Sequence, residues 1–250
     1  MGKYIPQLAF LHVLLGDQPV LAPHERLYQR LLASNRDEAD DLLEAAVKTQ
    51  SPVEVCDAVI IPTLQLAEGD SERGLLPEAK RSMVLDHIER WADEFDASRE
   101  IPAAPPGNPT TPTFGRNVLC IPAEDQADLI TTKLLDRVLQ DQGVRSRLVR
   151  NGSWAEQARP DAVIVSALPP DAFTSARHVC RAIRAKWPDV PVIVGLWNAR
   201  GDWEHARQRL RTAGATHTCS TFAECLALLE LQFSHTARQE ATEKPIPATS

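Results

Sequence analysis

The hydrophobic period changes across one proline-rich stretch, and that change constrains the fold more than any other feature of the chain. Residues 98–115, SREIPAAPPGNPTTPTFG, hold five prolines and almost nothing that could enter a core. Such a composition reads as a semi-extended, solvated linker. Before it, apolar residues recur every three or four positions; after it, short apolar runs alternate with helical patterns. A chain of this kind folds as a helical unit followed by an α/β unit.

The spacing predicts four helices over 23–97: HERLYQRLLAS, RDEADDLLEAAVKTQ, SPVEVCDAVIIPTLQLAEGD and LPEAKRSMVLDHIERWADEF. Asn35 is placed to cap the second, and Ser51 followed by Pro52 opens the third in the preferred order of cap then proline. Short turns between them imply a four-helix bundle. Pro62 falls inside the third pattern, where a kink or break is expected. Over 116–234 five strands, RNVLCIPA, VRSRLVR, PDAVIVSAL, VPVIVGLW and THTCS, alternate with helices, SWAEQAR being a short one. That pattern implies a parallel sheet covered on both faces. In the order 2-1-3-4-5, a ligand crevice lies beyond the carboxyl ends of the strands, lined by the loops PAEDQAD, SALPPDA and GLWNARGD. The tail 235–250 lacks apolar periodicity and is expected to be disordered.

Several chemistries fail at this crevice. The turn Pro122-Ala123-Glu124-Asp125-Gln126 has no glycine and brings two carboxylates, so it cannot cradle a pyrophosphate, and no P-loop is present. A phosphoacceptor domain would need an aspartate where the third strand ends in Ser166-Ala167-Leu168. Glu124 and Asp125 then read most simply as acidic residues at a helix N-terminus. There is no GxSxG elbow, and Ser166, Asp171 and His178 form no recognisable triad. An unrecognised enzyme site would have to be built on Asp125, Ser166 and Asn198. Trp197, at the end of the fourth strand, is either a ligand-facing residue or a plug.

Composition narrows the partners. A net charge of −7 and a pI near 5.5 argue against a nucleic-acid binder. The charge is uneven: the segment 36–99 is rich in Asp and Glu, whereas RHVCRAIRAK and EHARQRLRTAG are rich in arginine. These are two solvated faces, or the acidic helices dock on the basic ones, or the basic ones face anionic lipid. Five cysteines with no CxxC pair read as reduced core thiols in a cytosolic protein, and no metal site is expected. No stretch reaches the roughly 18–20 apolar residues of a membrane span. The opening segment, 1–22, carries LAFLHVLL with no signal-peptide features, and reads as a buried first helix or as a segment lying against a membrane or a partner.

The helical unit, the linker, the five-stranded unit, the SxL motif Ser166-Ala167-Leu168 and Gly195 together resemble cobalamin-binding modules, in which a helical cap sits over a Rossmann-like, flavodoxin-like domain. The resemblance implies that fold and places a DxHxxG motif at the first loop. Here Asp125-Gln126-Ala127-Asp128-Leu129-Ile130 keeps the aspartate and loses the histidine and the glycine. Ala127 has no lone pair for cobalt, and Ile130 adds bulk where the family's glycine admits the nucleotide tail. The fourth-strand loop has Gly195-Leu196-Trp197 where the family has a double glycine, and the cap has Ser71 and Arg81-Ser82 where relatives carry a tryptophan and a Glu-His pair. This looks like the cobalamin fold without its corrinoid chemistry. The candidate crevice residues are Asp125, Ser166, Leu168, Gly195 and Trp197; no catalytic residue and no metal ligand is expected, and cobalamin is possible only base-on.

The runs YIPQLAFLHVLLGDQPVLAPHERLYQRLLASN, DAVIIPTLQLAEGD, VLCIPAEDQAD and VSALPPDAF…VGLW are similar to the soluble C-terminal region of bacterial permeases of the autoinducer-2 exporter-like superfamily. In those proteins the first run follows the last transmembrane helix, which implies that this chain keeps only the cytosolic part. The expectation is a non-enzymatic regulatory or scaffold module, its crevice empty or holding a small-molecule ligand other than cobalamin, associated with a membrane permease or the membrane surface at its cytoplasmic side. The alternative is a base-on cobalamin carrier or sensor.

Overall fold

The computed structural model describes residues 21–98, 116–150, 152–170, 172–199 and 203–242. The linker and most of the opening segment lie outside the described residues. Helices α1 (Pro23–Leu32) and α2 (Arg36–Thr49) start the cap. The Asn35 side chain accepts the Glu38 N–H to open α2. Helix α3 opens at Pro52–Val55 with a reciprocal Ser51/Glu54 capping box, passes through a π-helical turn at Cys56–Ile60, and continues as Ile61–Glu72. Pro62 accounts for that turn. It has no N–H, and its ring collides with the carbonyl four residues back, so the helix takes in one extra residue and the Ile61 N–H bonds to the Cys56 carbonyl. The expected kink is absorbed without a break. Gly74, at φ +69°, ends the helix in the left-handed conformation. Helix α4 (Glu78–Ser98) is the fourth cap helix among the described residues.

The second unit runs β1 (Asn117–Pro122), α5 (Gln126–Asp141), β2 (Arg145–Leu148), a 3-10 turn (Ser153–Glu156), β3 (Ala162–Ala167), α6 (Ala172–Lys186), β4 (Val192–Leu196), α7 (Trp203–Thr212), β5 (His217–Cys219) and α8 (Phe222–Thr242). All pairs are parallel, in the order β2-β1-β3-β4-β5. Strands β1, β3 and β4 are buried almost throughout, as a doubly covered sheet demands. Helix α8 runs on to Thr242, past Phe233 where apolar periodicity stops. Its packed first half nucleates the helix, and the strong formers Ala, Arg, Gln and Glu propagate it.

The two faces of the sheet differ in what covers them. Val118, Cys120, Ala162, Ile164 and Ile193 share one core with α5, α8 and the cap residues Leu64, Leu85 and Ile88. Leu119, Ile121, Val163, Val165, Val192 and Val194 form a second core under α6 and α7. The cap therefore shares a core with the sheet domain. Polar contacts reinforce the join: Lys133 reaches Glu89 at 2.7 Å and Asp93 at 3.2 Å, and Gln126 donates to Asp86 and Glu89. Asp57 of the π-turn accepts the Phe222 and Ala223 N–H groups at 2.7 and 3.1 Å, capping α8 from the other unit. The acidic cap thus docks on α5 and α8, and the arginine-rich helices α6 and α7 lie on the far face.

Candidate functional site

The crevice is built from the first turn of α5 upward. Asp125 is the N-cap of α5 and accepts the Asp128 N–H at 2.9 Å. Asp128 is buried, and its carboxylate gathers the Glu124 and Asp125 N–H groups on one oxygen and the Leu168 N–H, at 2.7 Å, on the other. One carboxylate therefore ties the loop after β1 to the loop after β3. Burial pushes its pKa up to about 7, with the neighbouring Asp125 charge adding to the rise and the three backbone donors opposing it. Leu168 enters the site through its backbone; its side chain is buried.

Trp197 decides the shape of what remains. Its indole is 0% exposed and donates from Nε1 to the Ser166 Oγ at 2.7 Å. Ser166 is itself buried, 3.0 Å from the Thr131 hydroxyl, which has the Ala127 and Asp128 carbonyls as acceptors. Ser166 thus accepts from the indole and donates to Thr131, which satisfies all three groups. The six-membered ring of the indole packs against Gly195, where a Cβ would stand 2.1 Å from Cη2, so any side chain at 195 would have to displace the indole. Phe222 meets the indole edge-on, at 4.7 Å between ring centroids and 75° between planes.

The loop that carries the plug is held from the cap. Asn198 adopts φ +51°, a left-handed conformation that turns the chain straight after Trp197. Gln65 of α3 clasps it twice, donating to the Asn198 carbonyl at 3.1 Å and accepting from its side-chain amide. Beside this clasp, Arg81 of α4 binds both oxygens of Glu68 at 3.0 Å, reaches Glu78 at 3.0 Å and touches Asp125 at 3.4 Å. Burial raises the Glu68 pKa, and Arg81 opposes the rise. The cap contributes charged and amide groups that close over the sheet edge.

The structure places four of the five candidate residues around one point. Ser166, Gly195 and Trp197 are in mutual contact, Leu168 is tied to them through Asp128, and Asp125 stands at the mouth against Arg81. Asp57, Gln65 and Asp128 were not among the sequence candidates. Only Asp128, three residues after a capping aspartate, carries a local signal; the other two act on residues more than 130 positions away. The cavity that does open between cap and sheet domain, about 310 Å³, lies toward the other end of α5 and is lined by Cys56, Trp91, Leu134 and Val138. All five cysteines are buried free thiols, and among the described residues no three His, Cys, Asp or Glu side chains gather as a metal site would require.

A corrinoid whose nucleotide tail enters the core does not fit these residues. The space above Gly195 is filled by indole, the Ser166 hydroxyl is engaged, and Ile130 is fully buried in the core that includes Trp197.

No protein-family model matches the chain, and no curated protein matches it. Among solved structures, the monomethylamine corrinoid protein of Methanosarcina barkeri aligns over 83% of this chain and 97% of its own, at 11% identity and a TM-score of 0.53. A cobalamin-binding protein from Desulfitobacterium hafniense DCB-2 aligns over 83% and 97% at 12% identity with a TM-score of 0.36. The methanol:cobalamin methyltransferase complex MtaBC of Methanosarcina barkeri aligns over 94% and 98% at 14% identity with a TM-score of 0.32. Of these three, the first has a TM-score above 0.5, and at 11% identity it shows the fold alone: the chain is a helical cap on a five-stranded parallel Rossmann-like domain of the cobalamin-binding type.

Proposed function

We propose that this protein is a non-enzymatic regulatory or scaffold module in which the cobalamin-binding type of fold has been closed by its own side chains. The observation that carries the reading is the buried Trp197 indole, bonded to Ser166 and seated on Gly195. An enzyme built on Asp125, Ser166 and Asn198 finds little support in this arrangement. The Ser166 hydroxyl lies behind the indole with no exposed surface, and Asn198 is occupied by Gln65. A nucleophile needs an adjacent base and a path for substrate, and Ser166 bonds to Trp197 and Thr131.

The module acts beside a membrane permease, at the cytoplasmic face. Support comes from the likeness of its opening run to the segment that follows the last transmembrane helix in exporter-like permeases. No helix among the described residues is long and apolar enough to cross a membrane. Reconstitution with a permease of that superfamily, read as recovery of both chains after detergent extraction, checks this part.

The crevice reading has a direct test. Purified protein is mixed with hydroxo-, methyl- and adenosylcobalamin, desalted, and its visible spectrum recorded. The wild type is expected to emerge colourless. Retained colour with a shifted band would sink the reading and favour a base-on cobalamin carrier or sensor.

A further inference from the structure

We propose that the outer edge of the sheet domain carries a phosphate-binding groove formed by Arg145, Arg147 and Arg159. Parallel neighbours are usually joined through a helix packed on the sheet, and α5, α6 and α7 follow β1, β3 and β4 in that way. Among the described residues, the passage from β2 to β3 has only the 3-10 turn Ser153–Glu156, anchored by Trp154 against Trp187. One stretch of the outer face is therefore not roofed by a helix, and a groove of about 310 Å³ opens there.

Register decides which side chains enter it. Arg145 pairs with Asn117 and Arg147 with Leu119, and Leu119 belongs to the outer core. Paired residues of parallel strands share a face and alternate residues return to it, so Arg145 and Arg147 both stand on the outer face. The intervening Ser146 bonds to Asp136 of α5 on the inner side, as the alternation requires. Arg159 comes from the segment leading into β3 and lines the same groove, together with Asn117 and Ser146. All three arginines are exposed, and among the described residues none makes an ion pair or a side-chain hydrogen bond. Among the described residues no acidic side chain lines the groove; the nearest in sequence, Asp161, is engaged by the Asn117 N–H at 2.7 Å and by Arg116.

Alternate residues on a strand lie about 7 Å apart, a span that one phosphate or a diphosphate bridges. Three planar guanidinium groups present paired N–H donors that match phosphate oxygens. The surroundings add to the field. Helices α6 and α7, on the same face, carry seven Lys and Arg against one Glu, whereas the cap over 23–98 carries seventeen carboxylates against eight basic residues. The molecule is electrically polarised, and its positive side faces away from the cap. The phosphate could be that of a free metabolite or of a lipid headgroup. This inference does not rest on the closed crevice.

The test uses the full chain at low salt. Inorganic pyrophosphate is titrated calorimetrically, and in parallel the protein is sedimented with vesicles of phosphatidylcholine mixed with phosphatidylglycerol and with vesicles of phosphatidylcholine alone. Three proteins are compared: wild type, the triple variant Arg145→Gln/Arg147→Gln/Arg159→Gln, and the control Arg181→Gln/Arg211→Gln, which removes exposed charges from α6 and α7. Binding by the wild type that weakens about tenfold or more in the triple variant, and changes much less in the control, supports the site. Pyrophosphate binding assigns it to a soluble ligand, and binding to the anionic vesicles alone assigns it to a headgroup. Absence of binding to both probes, or equal losses in the triple variant and the control, overturns it. Matching thermal melts for wild type and triple variant exclude misfolding, and a Trp197→Phe variant that still binds pyrophosphate separates this site from the crevice.

Discussion

The carboxyl edge of the sheet and its β2 margin have exchanged the roles that an α/β fold usually gives them. At the carboxyl edge, where strand order reverses and a ligand crevice is expected, Trp197 fills the space above Gly195, and Gln65 and Arg81 reach in from the cap. At the β2 margin, where a crossover helix would normally lie, a short 3-10 turn leaves a groove bordered by arginines. The first region is closed by hydrogen bonds among buried groups; the second is open and positively charged. Topology thus offers a place for a ligand, and side-chain volume decides whether the offer stands.

Truncating the plug should break that contrast most sharply. Trp197→Ala removes a fully buried indole and leaves Ser166 without its donor, and is expected to cost about 3–5 kcal/mol in urea unfolding. A loss below about 1 kcal/mol would show that the indole is not packed as described. Asp128→Asn comes next. An amide keeps one acceptor but sets its NH2 against the Glu124 and Asp125 N–H groups, a loss of about 1–3 kcal/mol.

That loss should also depend on pH. The folded pKa of Asp128 lies above its ordinary 3.8, at about 7, so the folded state holds the proton more tightly than the unfolded chain. The wild type's advantage at this group is complete below the unfolded value and fades as pH rises through the folded one. The stability gap between wild type and Asp128→Asn should therefore narrow from about pH 4 to 7. A gap that stays constant, or widens, would place the folded pKa at or below the ordinary value.

Contacts across the join between cap and sheet domain should follow in size. Asp57→Ala orphans two N–H groups at the start of α8, an expected loss of about 1–2 kcal/mol. Gln65→Ala should cost about 1 kcal/mol and speed amide exchange at Asn198, because its carbonyl and side chain lose their clasp. At the open margin, Arg145→Gln should shift stability by no more than about 0.5 kcal/mol, since the side chain is exposed and unpaired among the described residues. A large loss there would mean that the groove is structural.

Much of this architecture is legible in the residues. The period change across 98–115, the cap pairs at Asn35 and Ser51-Pro52, and five apolar runs alternating with helices dictate a helical unit followed by a parallel sheet, because burial of one face forces the spacing. The candidate Trp197 follows from its place at a strand end, and Ser166 and Gly195 from strand ends together with the resemblance to cobalamin-binding modules. Pro62 signals a disturbance in α3, and its form, a π-turn that also places Asp57 at the foot of α8, emerges only from packing. The groove had a quieter signal: RSRL alternates charge with smaller or apolar groups, and SWAEQAR is too short for a roofing helix.

What residue order determined by itself is each element's period, its caps and the faces it must bury, since those depend on neighbours a few positions away. Only the tertiary structure decided that the indole of Trp197 turns inward onto Gly195, that the cap clasps Asn198, and that Arg159 joins Arg145 and Arg147. Those outcomes depend on which distant groups meet in a close-packed interior, where a single ring occupies the volume a ligand would need.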